Sequence, residues 1–179
     1  MRSARFALVS AISLFSPTLL ADHLPPALIS HTTPEAAVGS IKLDKTSAQE
    51  MVKRLGEPSE IANHTDDKDV TRGERSYIWR LRDCKLKAWT WFQPGKESPI
   101  TAVDVWGHKP NQECTTGNGL KLGASLGDLQ HLYGRFQQGR NANTHLLYVH
   151  TEWPNGTEAD IDFDAAGKIN HIQIGIDTE

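Results

Sequence analysis

The chain has little of what marks many function classes. Its 179 residues include two cysteines, Cys84 and Cys114, and neither is flanked as a CxxC motif or a zinc half-site would be. A formal net charge of -3 with no block of basic residues gives no nucleic-acid footprint. No GxSxG is present, and no local spacing assembles a nucleophile with a base and an orienting acid. The apolar run from Phe6 to Phe15 is too short to span a bilayer comfortably. What is present is 38% hydrophobic residues, enough for a core and against global disorder.

The start reads as a secretory signal over residues 1–21. Arg2 and Arg5 precede the apolar run, and Ser16-Pro17-Thr18-Leu19-Leu20-Ala21 supplies a cleavage region. The bland alternative is a short N-terminal membrane anchor. No cysteine lies near the cut, which excludes a lipid-anchored cysteine. Cleavage removes two cations and no acid, leaving a mildly acidic chain at -5. In a secreted chain an even pair of cysteines suggests a disulfide between Cys84 and Cys114, closing a loop of about 30 residues worth ~3–4 kcal/mol. A catalytic thiol does not suit that compartment.

After a proline-bearing leader, 22–39, the pattern is helix then strands, twice. Ile41 and Leu43 alternate; Asp44 or Thr46 can cap a helix carrying Met51, Val52 and Leu55, stopped at Gly56. Asn63 to Glu74 is polar and reads as a loop. Ser76–Leu81, Lys85–Phe92 and Ile100–Trp106 read as strands. A linker, 108–118, follows. Leu120-Lys-Leu122 echoes Ile41-Lys-Leu43, and Ser125 can cap a second helix before Gly134. His145–Trp153, Glu158–Phe163 and Ile169–Ile176 are three more strands, with Asn155-Gly156 as a hairpin turn. Ile100, Val103 and Val105 share the spacing of Ile169, Ile172 and Ile174.

The segments Thr46–Pro58, Phe163–Ile172 and Gly119–Gly134 resemble the SmpA/OmlA/BamE family and the related tandem beta-lactamase-inhibitor-protein (BLIP-like) fold. The resemblance implies an α+β protein of two tandem helix-plus-antiparallel-sheet units, at 40–107 and 119–179. It implies secreted domains that bind other proteins by a sheet face, in envelope assembly or enzyme inhibition, without catalysis. The chain departs from the envelope lipoproteins in lacking the lipidation cysteine and in carrying two copies.

Alternation from Cys84 to Phe92 puts Leu86, Ala88, Thr90 and Phe92 on one face and Lys85, Lys87, Trp89 and Trp91 on the other. Aligning Phe92 with Phe163 sets the acids Glu158, Asp160 and Asp162 against the Lys/Trp positions. Three acids in a row are too costly for a helix-covered core, so that face is expected to look into solvent. Arg80, Arg82, Lys85, Lys87, Trp89, Trp91 and Trp106 are then the expected partner-binding residues, Trp and Arg being hot-spot types. The competing expectation is that these tryptophans only pack, beneath the second repeat or the leader. Asp160, Asp162 and Asp164 imitate a calcium loop, but the positions needing Gly and Glu hold Ala165 and His171, so a solvated face is expected. His145 and His150 fall on opposite strand faces, giving no shared metal. Asn63-His64-Thr65 and Asn155-Gly156-Thr157 fit the glycosylation pattern, relevant only in a eukaryotic host. The expectation is a periplasmic or secreted, inhibitor- or immunity-like protein with no cofactor, no metal, no nucleic acid, and no membrane span after cleavage. A soluble envelope scaffold is the first alternative. A hydrolase, which needs a deep pocket of convergent polar groups, is the second.

Overall fold

The computed structural model describes residues 35–64, 73–134, 136 and 138–176. The expected signal, and the leader as far as residue 34, lie outside them. Ala37–Val38 (β1) and Ile41–Lys42 (β2) pair as a small hairpin ahead of a helix, Ala48–Leu55 (α1). Four strands follow: Glu60–His64 (β3), Gly73–Arg80 (β4), Cys84–Gln93 (β5) and Lys96–Gly107 (β6). A one-turn 3-10 helix at Gln112–Cys114 leads to Leu126–Tyr133 (α2). The last four strands are Gln138–Arg140 (β7), Leu147–Glu152 (β8), Thr157–Phe163 (β9) and Ile169–Ile176 (β10).

The expectation of two tandem helix-plus-sheet units is overturned. β3 to β10 form one eight-stranded antiparallel sheet in the order β3-β4-β5-β6-β10-β9-β8-β7. The cause lies in the residues that read as a repeat. Val103 pairs with Ile174 and Val105 with Ile172 across the middle of the sheet. β6 and β10 end their respective meanders, and each would otherwise be a long, apolar edge. They cover each other instead, so the apolar residues of both halves join one core cluster.

Each helix is two turns long, too short to persist by itself in water. Their starts are fixed by side chains. Ser47 accepts from the Glu50 amide while the Glu50 carboxylate takes the Ser47 amide; Ser125 and Asp128 repeat this. The first cap is therefore Ser47, not Asp44 or Thr46. Thr46 Oγ1 accepts from the Lys42 amide, which closes the turn before the helix. Gly56, at φ 80°, ends α1 where a Cβ would be strained. Ser125→Ala is expected to lower stability by ~1 kcal/mol, read as a lower urea midpoint with an unchanged slope.

Met51 of α1 and Leu129 of α2 are buried against the same side of the sheet as Tyr77, Trp79, Leu86, Val103, Val105, Ile161, Ile172 and Ile174. Among the described residues the other side carries no helix. The expected disulfide is present: Cys84, at the start of β5, is bonded to Cys114 in the 3-10 turn. Among the described residues no helix is long and apolar enough to cross a membrane.

Candidate protein-binding face

Strand alternation and sheet register lay out the face opposite the helices as rows running across the strands. The first row is Arg80–Lys85–Trp106–His171–Asp162–Tyr148. The second is Glu60–Ile78–Lys87–Asp104–Gln173–Asp160–His150. The third is Ala62–Ser76–Trp89–Ala102–Gly175–Glu158–Glu152. His64, Glu74 and Trp91 begin a fourth. The lysines therefore lie on β5, with Arg80 beside them on β4, and three acids lie on β9, with Glu152 beside them on β8.

Leu86, Ala88, Thr90 and Phe92 are buried on the helix side, while Lys85, Lys87 and Trp89 are partly exposed on the other. Trp91 is 46% exposed and Arg80 is exposed at the end of β4. Arg82 lies off the sheet, exposed in the turn between β4 and β5. Trp91 sits where the β5–β6 register shifts, and its amide donates to Ser98 Oγ at 2.8 Å. At the shift Trp91 has no register partner on β6, while it still pairs with Glu74 on β4.

The indoles are held in place by their neighbours. Lys87 Nζ lies 3.6 Å from the centre of the Trp89 ring, and Lys85 Nζ 4.9 Å from that of Trp106. His64 packs on Trp89 at 4.9 Å, with its Nε2 3.0 Å from Ser76 Oγ. Trp106 stacks on His171 at 4.9 Å with the planes 6° apart. Burial pushes the Lys87 ammonium below its ordinary value, and Lys85 adds to this while Asp104 opposes it.

Asp104, which is 6% exposed, joins the two ends of the face. Its carboxylate accepts from Trp89 Nε1 at 2.6 Å and from His171 Nε2 at 3.3 Å. His171 Nδ1 meets Asp162 at 2.8 Å. With a carboxylate at each nitrogen, the ring donates at both only as the imidazolium. Burial alone favours the neutral ring, yet the hydrogen bonds and charges of Asp104 and Asp162 outweigh it and raise the His171 pKa. His150 is raised chiefly by its hydrogen bond to Asp160, with Glu152 adding to it.

Sequence reasoning placed Trp89, Trp106, Lys85 and Lys87 on one surface but left His171 out of it. The signal was available: Ile172 and Ile174 point inward, so His171 and Gln173 point out. The three acids that imitate a calcium loop are used separately. Asp160 bonds His150, Asp162 bonds His171, and Asp164 accepts the Ala166 and Lys168 amides of its own turn.

No family model matches the chain and no curated protein matches it. Two solved structures are similar in outline. One is a DUF4309 family protein (YjgB) from Bacillus subtilis, 13% identical, with a TM-score of 0.46, covering 77% of this chain and 83% of that one. The other is an extracellular protein containing a SCP domain from Bacillus anthracis, 11% identical, with a TM-score of 0.49, covering 79% of this chain. This chain spans 44% of that second protein.

Proposed function

We propose that this protein binds a partner protein through the open sheet face, as an inhibitor or immunity-like module exported to the periplasm or the medium. The observation that carries the reading is a pair of indoles, Trp89 and Trp106, braced by Lys87, Lys85 and the His171 ring on a sheet side that has no helix among the described residues. Braced rings lose little conformational freedom on association, and Trp with basic neighbours is the composition of interface hot spots. Export is supported by the signal-like start and suits the buried Cys84–Cys114 disulfide. A soluble envelope-assembly scaffold is the alternative use of the same face.

A hydrolase fits less well. Ser76 Oγ meets His64, but Ser76 is 1% exposed at the register position beside Trp89, which withholds it from a substrate.

The test is capture from an envelope extract with tagged wild type and with Trp89→Ala combined with Trp91→Ala. Loss of at least ~10-fold in captured partner, with the far-UV spectrum unchanged, is the expected result for two hot-spot aromatics. Equal capture would show that the partner sits elsewhere. A captured secreted enzyme whose activity falls on binding supports inhibition; a captured outer-membrane assembly complex supports the scaffold.

A further inference from the structure

The charge layout on this face is complementary to itself. β5 and β9 lie at equal distances from the central β6–β10 pairing, one strand to either side. A two-fold axis running along that pairing, in the plane between two stacked sheets, sets β5 of one copy over β9 of the other and keeps each row opposite itself. Lys85 and Asp162 share the first row, and Lys87 and Asp160 the second. Each therefore meets its opposite charge, twice by symmetry. The central strands fit as well. Asp104 falls opposite Gln173, and Ala102 opposite Gly175, a shallow spot where two sheets can approach. Aligned sheets stack about 10 Å apart, within reach of lysine and carboxylate side chains from both sides.

We infer that a second copy of this chain occupies the open face in the absence of a target, forming a two-fold, face-to-face dimer. The inference rests on the reading of that face as a binding surface. A target then competes with self-association, and the free protein does not leave Trp89, Trp91 and Trp106 exposed at high concentration.

The experiment is sedimentation equilibrium of the purified protein with two charge-reversed variants. One is Lys87→Glu; the other is Asp160→Lys, its counterpart in the second row, which spares the Asp162 that holds His171. Wild type is expected to be dimeric at about 100 μM in low salt, with affinity falling at least ~10-fold in 0.5 M salt as the ion pairs are screened. Each variant alone places like charges opposite each other and is expected to be monomeric. Mixed in equal amounts they are expected to form a heterodimer, because both contacts then join opposite charges. A monomeric wild type, variants that dimerise as wild type does, or a mixture that stays monomeric overturns the inference. If a variant does not fold, the wild-type salt dependence decides: a dimer indifferent to salt overturns it. A monomeric wild type that still captures a foreign partner, with Trp89→Ala/Trp91→Ala failing to, removes the dimer alone. Unchanged capture by that variant removes the binding face as well.

Discussion

Asp104→Ala is expected to lower stability by ~3 kcal/mol, although Asp104 lies on the face without a helix. An indole N–H left unmade in a buried place costs ~1–3 kcal/mol, and removing one partner of a buried charge pair costs ~3–5 kcal/mol. The two costs do not add in full, because His171 keeps Asp162 and can shed its proton. Asp104→Asn keeps an acceptor for Trp89 Nε1 but loses the charge facing His171 and Lys87, so its deficit is expected to be smaller. Urea unfolding of the three proteins checks the order. If Asp104→Ala unfolds at the wild-type midpoint, Asp104 does not brace the face.

The same variant changes the response to pH. His171 has a folded pKa above its unfolded value of about 6.5. Its contribution is therefore fully present below about pH 6.5 and is lost as pH rises through the raised folded value. The charged and titratable groups facing the ring are Asp104 on β6 and Asp162 on β9, with Lys85 held over Trp106. His150, raised by its hydrogen bond to Asp160, contributes with the same sign, weakened by its exposure. Wild-type stability should fall as the pH is raised above 6.5, and fall less steeply in Asp104→Ala. Equal slopes for the two proteins would mean that Asp104 does not hold the imidazolium.

Period-two alternation made the orientation of β5 legible, because one face of that strand is buried and a shift of one residue would invert every side chain. Ser125 was legible as a cap because its local signal, a serine three residues before an acid, needs no tertiary context. Sheet continuity was not legible. The similarity of Ile100–Val105 to Ile169–Ile174 fits two separate copies and also fits two strands that pair with each other. Local sequence does not distinguish them, since pairing is a long-range choice between edges. β3 was hidden for a related reason. As an edge strand it is largely exposed, so Asn63 and His64 read as the start of a loop. β7, three residues at the opposite edge, gave no periodic signal at all. On the face itself the basic and aromatic end was legible from one strand. Its joining to the acidic end through Asp104 and His171 required the β6–β10 register.

Replacing Cys84 and Cys114 by serine together is expected to cost ~3–4 kcal/mol, the loop-closure value for their separation of 30 residues. The bond does more than shorten a loop. Cys84 begins the strand that carries Lys85, Lys87 and Trp89. Cys114 lies in the segment that supports the first hairpin: Thr115 O accepts from the Gly39 amide, Val38 bridges to Thr116, and Ser40 Oγ donates to Glu113. Cutting the tether frees this segment from the end of β5. Both sulfurs are buried, so serine hydroxyls there add a desolvation cost that alanines would not. The alanine pair should therefore be more stable than the serine pair while remaining below wild type. Reductant should lower the wild-type unfolding midpoint toward that of the alanine pair and leave the pair itself unmoved. A double variant within ~0.5 kcal/mol of wild type, the scale of an ordinary surface substitution, would show that the tether restrains nothing the sheet does not already hold.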